Sequence, residues 1–236
     1  MARLDGRPPE QMRDVVIEPD KFRANDALIS YGATKVLCFA SIETRVPPWL
    51  VGAGQGWLSA EYSMLPSSCE PRQARERAML SGRTQEIQRL IGRALRASLH
   101  LDALPPLTIH VDCDVIIADG GTRTASITGG MVALANLVSR EASRFGRQPV
   151  KCLASAISVG IVNGRPMLDL NYVEDRDAEV DANVVGLSSG GFAEVQATSE
   201  HGTFSREQLG QMLDLAAPAL ARLYEMQRAM IRLGGQ

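Results

Sequence analysis

The residues best suited to chemistry lie in the glycine-rich stretch 118–126, which runs into an apolar segment of helical periodicity at 127–138. This pattern predicts a tight turn that leads into the first turn of a helix. Such a turn leaves backbone N–H groups unpaired beside the positive end of the helix dipole, and both features favour an anion. Arg123 lies in this stretch, and its planar guanidinium matches the oxygens of a phosphate. The sequence therefore predicts an anion site at residues 120–123.

A second group of candidate residues is acidic, with five carboxylates between Glu174 and Asp181. Asp175 follows one predicted strand and Asp181 begins the next, so a short turn between adjacent strands would bring these two carboxylates together. Oxygen ligands in this arrangement suit Mg²⁺ or Mn²⁺, with substrate phosphates in the remaining positions. Acidic clusters in turns are also common as solvated caps, which is our interpretation of Asp177 and Glu179. For Asp175 and Asp181 both alternatives stay open.

Charge is distributed unevenly along the chain, although the net charge is only −2. Between positions 72 and 96 there are seven arginines and two glutamates, which makes a basic patch suited to a polyanion. Arg89, Arg93 and Arg96 recur on one predicted helix face, which fits a solvated or subunit-contact face better than a path for RNA.

The remaining composition excludes several classes of site. The three histidines lie outside both candidate sites, which argues against zinc and against a Ser-His-Asp triad. No GxxxxGK[ST] sequence is present, which argues against a nucleotide-triphosphate loop. The four cysteines have no CxxC spacing and favour reduced thiols in a cytoplasmic protein, and no apolar run predicts a membrane span.

The elements that must position these residues form an α+β pattern of two related units, predicted at 1–146 and 151–236. Asn163-Gly164 predicts a hairpin turn in the second unit. Ser205 and Gln208 form a capping box that begins a helix reaching about position 233, which Pro218 is expected to kink or split. The predicted strands are 14–18, 27–31, 34–43, 107–117, 156–162, 166–172, 181–187 and 192–198, with a further helix at 84–99 and a long loop at 47–56.

Five segments in order along the chain closely resemble the ribonuclease PH family. The resemblance implies a phosphate-dependent 3′→5′ exoribonuclease that trims transfer-RNA precursors. It also implies two βαβ-like units similar to the second domain of ribosomal protein S5, assembled as a ring-shaped hexamer (a trimer of dimers). The segments are 54–66, 81–96, 112–130, 158–164 and 172–185.

The resemblance also assigns roles to individual residues. Inorganic phosphate, the co-substrate, would be held by Arg83, Gly121, Thr122 and Arg123. Asp175 and Asp181 would be the catalytic carboxylates and would hold Mg²⁺ or Mn²⁺. The RNA would be guided by Arg72, Arg75 and Arg77. Ser67 stands where the family usually has arginine. This departure concerns the strength of RNA binding and leaves the expected phosphate site unchanged.

Two other functions compete with this one. A non-catalytic subunit of an exosome-like ring would bind RNA without cutting it, and the presence of Arg123, Asp175 and Asp181 together argues against it. A metal-dependent hydrolase would not need a dedicated phosphate pocket.

Overall fold

A five-stranded sheet forms the first half of the molecule in the computed structural model, which describes residues 3, 5–76, 79–200 and 202–231. The strand order is β1-β2-β3-β5-β4, and every pair is antiparallel except β4 and β5. Alternating buried and exposed positions along these strands place one face of the sheet on the core. The strands are β1 (Val15–Pro19), β2 (Asp26–Tyr31), β3 (Thr34–Glu43), β4 (Trp57–Met64) and β5 (Thr108–Ile117).

Helix α1 (Gly82–Ala97) connects the parallel strands β4 and β5, as a parallel pair requires a crossover. Its first turn is capped by Ser81, whose side chain accepts a hydrogen bond from the N–H of Thr84. Strand β4 lies in a segment for which no element was predicted.

Helix α2 (Thr122–Arg140) lies between the two sheets and is buried along most of its length. It packs against β2 and β3 on one side and against β6 of the second sheet on the other. Gly129 permits this close contact, since a Cβ there would lie 2.7 Å from Cγ2 of Ile29. The helix begins directly at the glycine turn, as the sequence predicts.

The second sheet is antiparallel throughout, in the order β7-β6-β8-β9. One continuous apolar core extends from the first sheet through α2 into this sheet. The elements are β6 (Ala154–Val162), β7 (Arg165–Leu168), α3 (Tyr172–Arg176), β8 (Val180–Leu187), β9 (Phe192–Ser199) and α4 (Arg206–Met230). Three short 3-10 turns complete the described chain: Pro48–Leu50, Leu101–Ala103 and Ala142–Arg144.

One expectation about the second half is wrong, and half of another is excluded. The strand expected at 166–172 ends at Leu168, and the chain then forms α3, so Asp175 lies on a helix. Pro218 does not split α4, while a kink there stays a prediction. Pro218 leaves the carbonyl of Asp214 without an N–H partner, and both residues are exposed to solvent. The unit boundaries 1–146 and 151–236 stay a prediction.

Candidate active site

A cavity of about 470 Å³ opens where the two sheets meet the start of α2. Residues from both halves of the chain line it, so neither half forms the cavity alone. The charged lining residues are Arg72, Arg83, Arg123, Asp175, Asp181, Glu70 and Glu76, and the glycine turn contributes Gly121 and Thr122.

One wall of the cavity is the glycine turn. Gly120 and Gly121 have φ values of 74° and 69°, which glycine adopts at low cost. A Cβ on Gly120 would lie 2.5 Å from the carbonyl oxygen of Leu170, so a larger residue does not fit there. Among the described residues no acceptor takes the N–H groups of residues 120–123. These donors and the end of the helix dipole make the turn suited to an anion.

Arg123 extends from α2 across the cavity. Its Nη2 lies 3.2 Å from Oε2 of Glu86, and its Nη1 lies 4.0 Å from Oδ2 of Asp181. Gln196 donates a hydrogen bond of 3.3 Å to Oε1 of Glu86, which helps to fix the carboxylate that pairs with Arg123. The buried Nε of Arg123 has no partner among the described residues, which leaves one donor for a ligand.

Arg83 lies in the first turn of α1 and lines the cavity. It forms no ion pair with the residues that the structure describes, so its charge is available to an anion. Its positive charge acts on Asp175 and on the buried Tyr62, whose hydroxyl shares a 2.9 Å hydrogen bond with Oγ1 of Thr122. The structure thus brings Arg83 and the turn to one cavity.

The opposite wall carries the two carboxylates. Asp175 lies on α3, and Asp181 is the second residue of β8. Helix α3 begins with a capping box formed by Asn171 and Glu174. Although α3 replaces the expected strand, the side chains of Asp175 and Asp181 still meet. Asp177, by contrast, is exposed and paired with Arg176.

Burial raises the pKa of both carboxyl groups. For Asp181 the pKa rises to about 6, because burial and the charge of Asp175 outweigh the attraction of Arg123. Burial likewise raises the pKa of Asp175, with Arg123 and Arg83 acting in the opposite direction. Two half-buried carboxylates this close repel each other, so a cation between them is favoured.

The carboxylate pair fits a hard divalent cation. Within the described ranges no group of three or more metal-ligating side chains is present. Mg²⁺ is commonly bound by one or two carboxylates together with water and substrate phosphates, and Asp175 and Asp181 supply such a pair. These are the residues that would hold Mg²⁺ or Mn²⁺.

The three arginines expected to guide RNA differ in position. Arg72 lines the cavity, whereas Arg75 is exposed and lies outside it. Burial raises the pKa of Asp114, and the positive charge of Arg75 partly counteracts this rise. Arg77 lies outside the described residues.

Comparison with known proteins identifies the family. Residues 11–138 match the model of domain 1 of the 3′ exoribonuclease family, and residues 152–218 match the model of domain 2. The chain belongs to the 3′ exoribonuclease family.

Solved structures show the same fold at low sequence identity. Rrp46 from rice (Oryza sativa) is 21% identical with a TM-score of 0.78, and the match covers 98% of this chain and 100% of that one. The exosome of Archaeoglobus fulgidus, solved with RNA bound to the active site, is 19% identical with a TM-score of 0.80 over 95% and 92% of the two chains. An archaeal exosome core is 19% identical with a TM-score of 0.78, over 96% and 91%.

Sequence reasoning missed the residues that support the site from behind. Thr34 at the start of β3 donates to the carbonyl oxygen of Gly120 at 2.7 Å and accepts from the N–H of Asp119 at 2.9 Å. Arg13 and Asp169 form a buried ion pair in contact with the same turn. The pair is separated by 156 positions in sequence, and no local motif marks it.

Proposed function

We propose that this member of the 3′ exoribonuclease family is a phosphorolytic 3′→5′ exoribonuclease. The observation that carries the proposal is the placement of an anion site and a carboxylate pair in one cavity, with Arg123 between them. Its Nη1 is 4.0 Å from Asp181, and its buried Nε is free for a ligand within the described structure. A hydrolase has no use for a second phosphate site at this position.

In the proposed reaction an oxygen of inorganic phosphate attacks the phosphorus of the terminal phosphodiester. A new P–O bond forms, the bond to the 3′ oxygen of the preceding nucleotide breaks, and that oxygen gains a proton. The products are a nucleoside diphosphate and an RNA shortened by one residue. The reverse reaction adds nucleotides from diphosphates at the same site.

Repulsion between two anions is the main barrier, and the residues of the first wall reduce it. Arg83, Arg123 and the N–H groups of residues 120–123 would neutralise and orient the attacking phosphate. Orientation of a nucleophile in this way is worth up to roughly 7–11 kcal/mol of a barrier. Phosphate is already nucleophilic, so no histidine base is required. A Mg²⁺ or Mn²⁺ ion held by Asp175 and Asp181 would supply positive charge beside the scissile phosphate.

The proposed substrates are transfer-RNA precursors. The proposed assembly is a hexameric ring built as a trimer of dimers, and its proposed location is the cytoplasm. The ribonuclease PH resemblance supports both, and the related exosome solved with RNA at its active site supports an RNA substrate. Arg72 at the cavity mouth and the exposed Arg75 would contact the RNA backbone. No helix in the described part of the chain is long and apolar enough to cross a membrane.

The test uses an RNA with a 3′ tail and the full chain with Mg²⁺, incubated with and without inorganic phosphate. Nucleoside diphosphates that form only when phosphate is present support the proposal. Monophosphates formed without phosphate indicate a hydrolase. RNA binding without any product indicates a non-catalytic ring subunit, and either of these outcomes overturns the proposal.

Asp181→Asn is the matched catalytic variant. It should abolish product formation while RNA binding stays close to wild type, because the asparagine keeps the shape of the side chain but removes the charge. Asp177→Asn, on the same segment but exposed and paired with Arg176, should keep activity.

A further inference from the structure

Directly behind the glycine turn lies an ion pair that is almost completely buried. Arg13 donates from Nε to Oδ2 of Asp169 at 2.9 Å and from Nη2 to Oδ1 at 2.6 Å, in a two-pronged arrangement. The backbone N–H of Arg13 also donates to Oδ2 at 2.8 Å. The Asp169 side chain has no exposure and that of Arg13 has 6%. Buried ion pairs contribute little net stability compared with apolar residues, so this pair calls for another role.

The remaining donors of Arg13 contact the carbonyl groups of the turn. Nη1 donates to the carbonyl oxygen of Asp119 at 2.5 Å, and Nη2 approaches that of Gly120 at 3.4 Å. Thr34 donates to the carbonyl of Gly120 at 2.7 Å from its own side. Neither Arg13 nor Thr34 lines the cavity. Both residues therefore bond to the carbonyls of Asp119 and Gly120 from outside it.

The geometry of the peptide bond converts these contacts into an orientation of the turn. In a planar trans peptide the C=O and the N–H point in opposite directions. Holding the carbonyls of Asp119 and Gly120 away from the cavity therefore directs the N–H groups of Gly120 and Gly121 toward it. Glycines are free to rotate these peptides, so without a fixed acceptor the N–H groups would lose their common direction.

The packing leaves Arg13 little freedom. A Cβ on Gly32 would lie 2.7 Å from Cδ of Arg13, and one on Gly121 would lie 3.1 Å from Nη2. A lysine has a single point charge and no fixed fork, so it cannot hold Asp169 and the Asp119 carbonyl together in this geometry.

We propose that Arg13, oriented by Asp169, is a positioning residue that sets the phosphate-binding conformation of the glycine turn. This inference rests on the proposed function, since it assigns the turn to inorganic phosphate. Arg13 does not touch the phosphate; it acts through the peptides of Asp119 and Gly120.

The test compares Arg13→Lys with Arg3→Lys. Arg3 makes a similar buried two-pronged pair with Glu174, 2.7 Å on each prong. It also donates to the backbone carbonyl of Asp169 at 2.9 Å, but it bonds neither to the Asp169 carboxylate nor to the turn among the described residues. Both variants are expected to lower the unfolding temperature. Only Arg13→Lys should raise the KM for phosphate, by about tenfold or more, while the KM for RNA stays within about twofold of wild type.

Binding of inorganic phosphate without RNA gives a second readout that does not need activity. Titration calorimetry on the full chain should show the same loss of affinity in Arg13→Lys and none in Arg3→Lys. Should Arg13→Lys fail to fold, Asp169→Asn replaces it, because the amide keeps the shape and removes the charge that orients the guanidinium.

The outcomes separate this inference from the proposed function. Phosphorolysis by wild type with unchanged phosphate affinity in Arg13→Lys overturns the inference and leaves the function. Equal loss of phosphate affinity in Arg13→Lys and Arg3→Lys means general destabilisation and also overturns it. Phosphate binding by a wild-type protein that does not degrade RNA overturns the function, and the affinity of Arg13→Lys then decides the inference. A wild type that binds no phosphate overturns both.

Discussion

Replacing Asp181 by asparagine is expected to stabilise the metal-free protein at neutral pH while removing its activity. Burial and the charge of Asp175 raise the pKa of Asp181 from 3.8 to about 6, so ionising it costs more in the folded than in the unfolded chain. A shift of roughly two pKa units corresponds to about 3 kcal/mol. Asparagine keeps the shape and removes this cost, so a gain of about 1–3 kcal/mol in the free energy of unfolding is expected.

The gain should depend on pH with a defined sign. Well below pH 3.8 the carboxyl is protonated in both states, so wild type and Asp181→Asn should be equally stable. Between the two pKa values the folded state binds more protons than the unfolded state, so wild type loses this contribution as pH rises through about 6. The advantage of the variant therefore grows from nothing in acid to a plateau near neutral pH.

Urea unfolding at fixed protein concentration, with a chelator present, measures this difference. Asp177→Asn is the control: its partner Arg176 lowers the pKa of Asp177, so its removal should give no gain at any pH. Added Mg²⁺ should stabilise wild type more than Asp181→Asn at neutral pH. A difference that does not change with pH, or a variant less stable than wild type at neutral pH, would refute the reasoning.

Three further substitutions test separate parts of the site. Arg123→Ala should raise the KM for phosphate by about a hundredfold or abolish turnover, measured as diphosphate release at increasing phosphate, and an unchanged rate would remove Arg123 from the site. Thr34→Val should weaken phosphate binding in calorimetry while Thr34→Ser does not, because serine keeps the hydroxyl that bonds to Gly120 and valine keeps only the shape. Arg72→Ala should weaken RNA binding in filter assays and reduce the slope of log K against log salt by about one, with the KM for phosphate unchanged. An equal effect of Arg72→Ala on the phosphate KM would place this residue in the phosphate site instead.

Local rules were sufficient to predict the glycine turn before α2. Two successive glycines before a helical pattern permit a tight turn with positive φ, and Gly120 and Gly121 have positive φ. The meeting of Asp175 and Asp181 was also predicted, although from the wrong local structure. A short connection between two elements brings their ends together whether the first is a strand or a helix, so the error about α3 did not alter that result.

The missed features have two different causes. Strand β4 carries a period-two signal in its buried Leu58, Ala60 and Tyr62, which could have been found in the sequence. The contact between Arg13 and Asp169 could not, because it depends on the packing of the N-terminal segment against the loop after β7. A single sequence holds no local pattern for a pair brought together by the tertiary fold.

The two walls of the cavity belong to different halves of the chain, so the distance between the glycine turn and the carboxylates is a property of how the halves pack. Buried polar contacts fix that packing at α2. The hydroxyl of Tyr31 in β2 donates to the carbonyl of Ala156 in β6 at 3.1 Å, and Gln227 in α4 donates to the carbonyls of Thr128 and Ala154 at 2.9 Å each. Separation of the sheets would break the bonds from Tyr31 to Ala156 and from Gln227 to Thr128. The loss of a hydrogen bond of this kind costs about 0.5–1.5 kcal/mol. The Arg13–Asp169 pair adds a charged link between the two halves at the cavity itself, and separation there would leave two buried charges without partners.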